Sequence, residues 1–207
     1  MVQRLPFRHH GTAGDVRRLC GQLRQLFAAA PPPPRRAGLA VWNLACGRAD
    51  ESGALAAALA PATISHYLGI DLRGHCVAEA RARWQLPGGV AEFFEGDAAA
   101  IPRGSGPPAA DVIFIRHQNY WHAPASWERI FSRALGCLAG DGLLVCTSYF
   151  DREHEMMVSA MRSLGAWTAA AFHNPESRPL DDAPGKSVDR HIAAFVKVPL
   201  SEPPGIG

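Results

Sequence analysis

The densest run of chemically capable side chains is RHQNYWH, residues 116–122, directly after the apolar stretch DVIFI. It supplies a permanent cation (Arg116), a group that titrates near neutrality (His117), and Tyr120 and Trp121. An unperturbed histidine can take a proton at physiological pH, so His117 reads as a proton acceptor or substrate-orienting group, or else as an imidazole packed against a ligand or the backbone. A second cluster, TSYFDREHE at 147–155, adds Tyr149, Asp151 and His154 after another apolar run. Tyr120, Trp121 and Tyr149 either form an aromatic wall around a substrate or serve as core and rim aromatics. Two carboxylates end apolar runs elsewhere, Asp71 in YLGID and Asp97 in FFEGDAA. They suit ligand hydroxyls and amines as acceptors, or simply cap a helix or turn. His154 and His191 are weaker candidates, and Asp189-Arg190-His191 reads as a polar lead-in to the last strand. Met157, Ala160, Met161 and Leu164 read as a core stripe.

These residues need a scaffold that brings strand ends together. Apolar runs alternate with helical patterns from residue 39 onward. Strands are expected at LAVWNLA, HYLGID, 89–96, DVIFI, GLLVCTSYF, 166–172 and 191–198, with helices at 51–60, 73–85, about 127–138 and 151–164. Between 102 and 108 the chain is rich in glycine and proline, and a full helix does not fit there. The alternation implies parallel βαβ units with helices on both faces. The final two strands have no helix between them, which predicts a C-terminal antiparallel hairpin. In front of all this, Val16, Leu19, Cys20, Leu23, Leu26 and Phe27 recur at helical spacing, and Pro31 to Pro34 then form a stiff spacer.

Composition narrows the function classes. The 207 residues suffice for one sizeable core. Five cysteines without a C-x-x-C pair, and no Cys/His cluster at zinc-like spacing, indicate neither a disulfide framework nor a metal site, and a reducing cytoplasm is expected. No apolar stretch approaches the roughly 18 residues of a membrane span. The net charge of +2 conceals an asymmetry: residues 1–36 hold seven arginines against Asp15 alone. That excess suits an anionic substrate, a phosphate-rich partner, a transit-peptide-like tail or merely a solvated helix face.

The stretch VWNLACGRADESGAL, residues 41–55, joins the first strand to the next helix. It lacks the G-x-G-x-x-G dinucleotide fingerprint, and GKS at 185–187 has neither the upstream glycine nor the strand-to-helix turn of a phosphate loop. Its surroundings nevertheless resemble the class I S-adenosylmethionine-dependent methyltransferases over residues 39–198. The family's central loop glycine falls on Gly47, the ribose-binding acid on Asp71 with Leu72 beside it, the adenine-facing acid on Asp97 with the Ala98 backbone beside it, and the fourth-strand motif on ADVIFIRHQ. The first and third glycines fall on Ala45 and Ala49, so the loop is expected to depart from the glycine-rich standard, since alanine fits easily only at negative φ. The acid ending the first strand falls on Asn43, and Glu51 is either its replacement or an ordinary first-turn helix acid.

The resemblance implies a seven-stranded, mostly parallel α/β sheet with helices on both faces and a C-terminal antiparallel hairpin. It implies S-adenosyl-L-methionine as cofactor, held by Asn43, Ala45, Gly47, Glu51, Asp71, Leu72, Asp97, Ala98 and Arg116. His117, Tyr120 and Tyr149 are then the catalytic candidates. Residues 1–38 are expected to form an N-terminal helix and linker that could act as a lid over a cofactor domain at 39–207. The expected substrate is a small molecule of specialised metabolism. No N/D-P-P-Y motif or basic catalytic face points to RNA. Two alternatives stay open: an enzyme that cyclises or eliminates the aminobutyrate chain of the same cofactor and releases methylthioadenosine, and a non-catalytic methyltransferase-like subunit.

Overall fold

Each apolar run becomes a strand in the computed structural model, which describes residues 1–30, 38–101 and 109–197. The strands are β1 (Leu39–Leu44), β2 (Ile64–Asp71), β3 (Val90–Glu95), β4 (Ala110–Ile115), β5 (Leu138–Ser148), β6 (Ala166–His173) and β7 (His191–Lys197). They form one sheet in the order β3-β2-β1-β4-β5-β7-β6. The first five are parallel, and β7 runs antiparallel between β5 and β6. Every residue of β1 and β4 is buried, as strands covered on both faces require. The chain reverses its order of placement between β1 and β4, so the carboxyl ends of these two strands flank a crevice open to ligands.

Period-two alternation divides the core. Val41, Val112, Phe114 and Val145 face α1 (His10–Ala29), α2 (Ser52–Leu59) and α3 (Gly74–Arg83), whereas Trp42, Leu44, Ile113, Ile115 and Leu144 face α4 (Pro124–Cys137) and α5 (Asp151–Ser163). Leu19, Leu23 and Leu26 of α1 are fully buried in the first of these clusters. The N-terminal helix therefore lies in the same layer as α2.

Several boundaries differ from the sequence reading. Helix α3 stops at Arg83 instead of continuing to Gln85, because Trp84–Gln85 pair with Val2–Gln3 in a short antiparallel bridge that periodicity alone does not reveal. Strand β5 begins at Leu138, four residues before the expected start, and absorbs the extra length in an irregular register opposite β4. On α5, Met157 and Met161 are fully buried but Leu164 lies beyond the helix and is exposed. The proline run at 31–34 and the connection at 102–108 lie outside the described residues. Among the described residues, no helix is long and apolar enough to cross a membrane.

Candidate active site at the carboxyl ends of the strands

The loop after β1 alternates in hand. Ala45, Gly47 and Ala49 have φ of 54°, 53° and 52°, with Cys46 and Arg48 between them. This corrects the expectation that two alanines would force a different loop. The left-handed positions persist, and Ala45 and Ala49 carry the steric strain that glycine would avoid. Hydrogen bonds to β2 over-determine the path: Cys46 N–H donates to Ile70 O at 2.9 Å and Gly47 N–H to Asp71 Oδ2 at 2.7 Å. A side chain at Gly47 would also crowd Arg73, whose Nη2 lies 3.0 Å from where Cβ would be.

Asp71 is the hub of this end. Its Oδ1 accepts from the backbone N–H and Nε of Arg73, and its Oδ2 accepts from Gly47 N–H and Arg73 Nη2. These four donors occupy the roughly four lone-pair sites a carboxylate offers. They hold the Asp71 pKa below the ordinary carboxylate value despite partial burial. The Arg73 side chain is 60% exposed and divides the cleft. On one side is a cavity of about 250 Å³ lined by Leu72, Gly96, Asp97, Ala98 and Ile130, and on the other a cavity of about 400 Å³ reaching Glu51, Arg116, His117 and Tyr149. Ala45 and Arg73 border both. Leu72 is 71% exposed, leaving a free apolar face beside the smaller cavity. Asp97 caps a short 3₁₀ turn by accepting from Ala99 N–H at 2.8 Å through Oδ1.

Beneath the larger cavity, Asn43 is fully buried and donates through Nδ2 to Glu51 Oε1 and to the Tyr67 hydroxyl. The Ser52 hydroxyl donates to Ala49 O, so the Tyr67 hydroxyl donates to Ser52 Oγ. Asn43 Oδ1 has no hydrogen-bond partner among the described residues. Burial raises the Glu51 pKa above its ordinary value, against the pull of Arg116 and Asn43. Arg116 Nη1 lies 3.5 Å from Glu51 Oε2.

The opposite wall is organised by a residue that the sequence placed only in a polar lead-in. Asp189, 2% exposed, accepts from Arg116 through Nε at 3.0 Å and Nη2 at 2.6 Å, and from the Thr147 hydroxyl at 2.9 Å. His117 Nε2 sits 2.7 Å from the same carboxylate. This cluster holds the Asp189 carboxyl far below the usual range although the residue is buried. Burial lowers the His117 pKa, outweighing the attraction of Asp189. The His117 backbone adopts φ of 57°, and its N–H donates to Thr147 Oγ1. Its ring stacks on Tyr149 with centroids 4.0 Å apart. Burial pushes the Tyr149 hydroxyl up to about 12, so it stays protonated at neutral pH.

Of the candidate residues, Ala45, Gly47, Glu51, Asp71, Leu72, Asp97, Ala98, Arg116, His117 and Tyr149 line this divided cleft, and Asn43 lies buried behind it, bonded to Glu51. Tyr120 does not join them: its hydroxyl donates to Glu128, and it lines a separate cavity with Met156 and Ser159. The sequence reading missed Asp189, Thr147 and Arg73. Only Arg73, two positions beyond Asp71, carried a local signal.

A family model described as a methyltransferase domain matches residues 41–142, which include the β1 loop, Asp71, Asp97 and the run after β4. This methyltransferase domain has the class I S-adenosylmethionine-dependent methyltransferase fold. Solved structures share its fold at low identity. Magnesium protoporphyrin IX methyltransferase from Synechocystis PCC 6803, with bound S-adenosylmethionine, is 16% identical over 94% of this chain and 87% of that one, with a TM-score of 0.64. The N-methyltransferase NodS from Bradyrhizobium japonicum is 15% identical over 88% and 96%, at 0.60. The ribosomal protein L11 methylase from Lactobacillus delbrueckii is 12% identical over 93% and 81%, at 0.59. No curated protein sequence matches the chain. The cosubstrate of such methyltransferases is S-adenosylmethionine, and the cleft is suited to it: a left-handed glycine borders the larger cavity and a carboxylate at the end of β2 the smaller, and the orphaned amide oxygen of Asn43 lies buried behind Glu51. The neighbours' names span a porphyrin and a ribosomal protein, so fold alone does not select the acceptor.

Proposed function

We propose that the protein is a methyltransferase acting on a small molecule of specialised metabolism, by in-line methyl transfer. The observation that carries this reading is the divided cleft itself, with Asp71 at the partition, an apolar chamber on one side and a polar chamber with His117 on the other. In this reading Asp71 takes the ribose hydroxyls, Leu72 and the Asp97–Ala98 segment border the adenine, and the loop at Ala45–Gly47 lies along the methionine portion. Glu51, held by Asn43, takes the role of the missing first-strand acid and faces the ammonium group. Bound here, S-adenosylmethionine supplies a methyl group already activated by the sulfonium charge.

The chain's own work is to place the acceptor and manage its proton. His117 Nε2 is engaged twice by Asp189, lying 2.7 Å from its carboxylate and accepting from its backbone N–H at 3.1 Å, which leaves Nδ1 as the ring nitrogen that Asp189 does not touch. His117 is kept largely neutral at pH 7 by burial, as a proton acceptor requires. Tyr149 fixes its ring by stacking, and Arg116 is tied to Asp189 and Glu51 as a positioning residue. Arg48 and Arg73 border the larger cavity and suit a substrate carboxylate or phosphate. Helix α1 belongs to the same proposal as a fixed brace behind the hairpin: Gln22 donates to Asp189 O, and Asp15 pairs with Arg178 in the loop leading to Asp189. A cytoplasmic location accompanies this reading.

Product analysis after incubation with S-adenosylmethionine and a panel of carboxylate- or phosphate-bearing small molecules tests it. Acceptor-dependent S-adenosylhomocysteine supports methyl transfer. Methylthioadenosine would instead indicate chemistry on the aminobutyrate chain, and absence of cofactor binding a non-catalytic subunit.

A further inference from the structure

We propose that Asp151, His173 and His191 form a binding site for a divalent transition metal of the zinc, cobalt or nickel type. These residues are spread over some forty positions and carry no metal-ligand spacing in the sequence, which gave no indication of a metal. The fold gathers them. His173 on β6 and His191 on β7 are direct register partners of adjacent antiparallel strands, so their side chains leave the same face of the sheet. Asp151 is the first residue of α5, and its carboxylate comes down onto that face. One ligand atom from each residue lies within 4.8 Å of the other two, and His191 Nε2 is 2.6 Å from Asp151 Oδ1.

Two further features make this a held site. His154 stacks on His191 with centroids 4.6 Å apart and contacts Ser148 Oγ through Nδ1, which fixes the plane of the ligand ring. Arg190 grips Asp151 through Nε at 2.6 Å and Nη2 at 2.9 Å, orienting the carboxylate as outer hydrogen bonds do for metal ligands. Two imidazoles and one carboxylate favour zinc, cobalt, nickel or copper over magnesium or calcium. Asp151 and His173 are exposed, leaving room for water to complete the coordination. The positive end of α5 and the Arg190 guanidinium oppose a cation and so weaken the site. Arg190 directly follows Asp189, so a bound ion would stiffen the hairpin that anchors Arg116 and His117.

The test is titration of the chelator-treated full chain with Co(II), followed by visible absorption, with Zn(II) competing. One equivalent should give a ligand-field spectrum that zinc abolishes, without the intense near-ultraviolet thiolate band that any of the five cysteines would produce. His173→Ala and His191→Ala should weaken binding by about tenfold or more, while His9→Ala should leave it unchanged. His173→Cys should retain the ion and add the thiolate band, a gain of signal that misfolding would not produce. A thiolate band in the unmodified chain, equal affinity in His191→Ala, or no band in a cobalt-loaded His173→Cys would overturn the assignment.

Discussion

Asp71 has no acceptor capacity to spare in this structure, because Arg73 takes two of its positions with a side chain that is largely in solvent. A ribose diol must displace that side chain, and the 60% exposed Arg73 guanidinium regains water on leaving while the diol's hydroxyls take its place as donors. Arg73→Ala should therefore bind S-adenosylmethionine as well as the unmodified chain or up to about fivefold more tightly. A large loss of affinity would mean that Arg73 itself holds the cofactor. Glu51 gives a pH signature. Only its ionised form attracts an ammonium group, and burial places its pKa above the usual carboxylate value. Affinity should be full above that raised pKa and decline as pH falls through it, at a higher pH than for a solvated glutamate. Glu51→Gln should bind more weakly and flatten this part of the profile, which calorimetry across a pH series would measure.

The loop after β1 and the lead-in to β7 are the two elements whose backbones pay for the site. Left-handed alanine costs roughly 1–2 kcal/mol, offset in part by the smaller unfolded-state entropy of alanine relative to glycine, about 0.4–1 kcal/mol. Ala45 lines the cavity instead of filling the core, so Ala45→Gly should raise the melting temperature by about 1–4 °C. A fall would show that the methyl group makes a packing contribution larger than the strain. Asp189 closes the other side. Asp189→Asn would leave the Arg116 charge without its carboxylate, and breaking a buried pair costs about 3–5 kcal/mol. The linkage has a definite sign: Asp189 has a depressed folded pKa, so its stabilisation is present above the unfolded value of about 3.9 and is lost as pH falls below it. Acid unfolding of the unmodified chain should steepen below about pH 4, and the variant, already weaker at pH 7, should show less of that steepening.

At the scale of the whole molecule, the sheet was legible because its central strands are short, continuous apolar runs and its helices carry clear stripes. The C-terminal hairpin followed from two strands with no helix between them. What escaped was set by contacts distant in sequence: the bridge of Val2–Gln3 with Trp84–Gln85, and Tyr120 turning to Glu128 away from the cleft. Asp71 and Gly47 could be read locally, each standing at the end of a strand or in its turn. Asp189 could not, because its importance arises from Arg116, His117 and Thr147 reaching it from β4 and β5 across the hairpin. The central claim is that Asp71, Leu72 and the Asp97–Ala98 segment form the adenosine side of a methyl-donor site. Titration calorimetry of S-adenosylmethionine and NAD into the unmodified chain and Asp71→Ala tests it most directly. One site for S-adenosylmethionine, weakened about tenfold to a hundredfold by Asp71→Ala, with no NAD binding, is the predicted result. Tight NAD binding without S-adenosylmethionine binding, or unchanged affinity in Asp71→Ala, would contradict it.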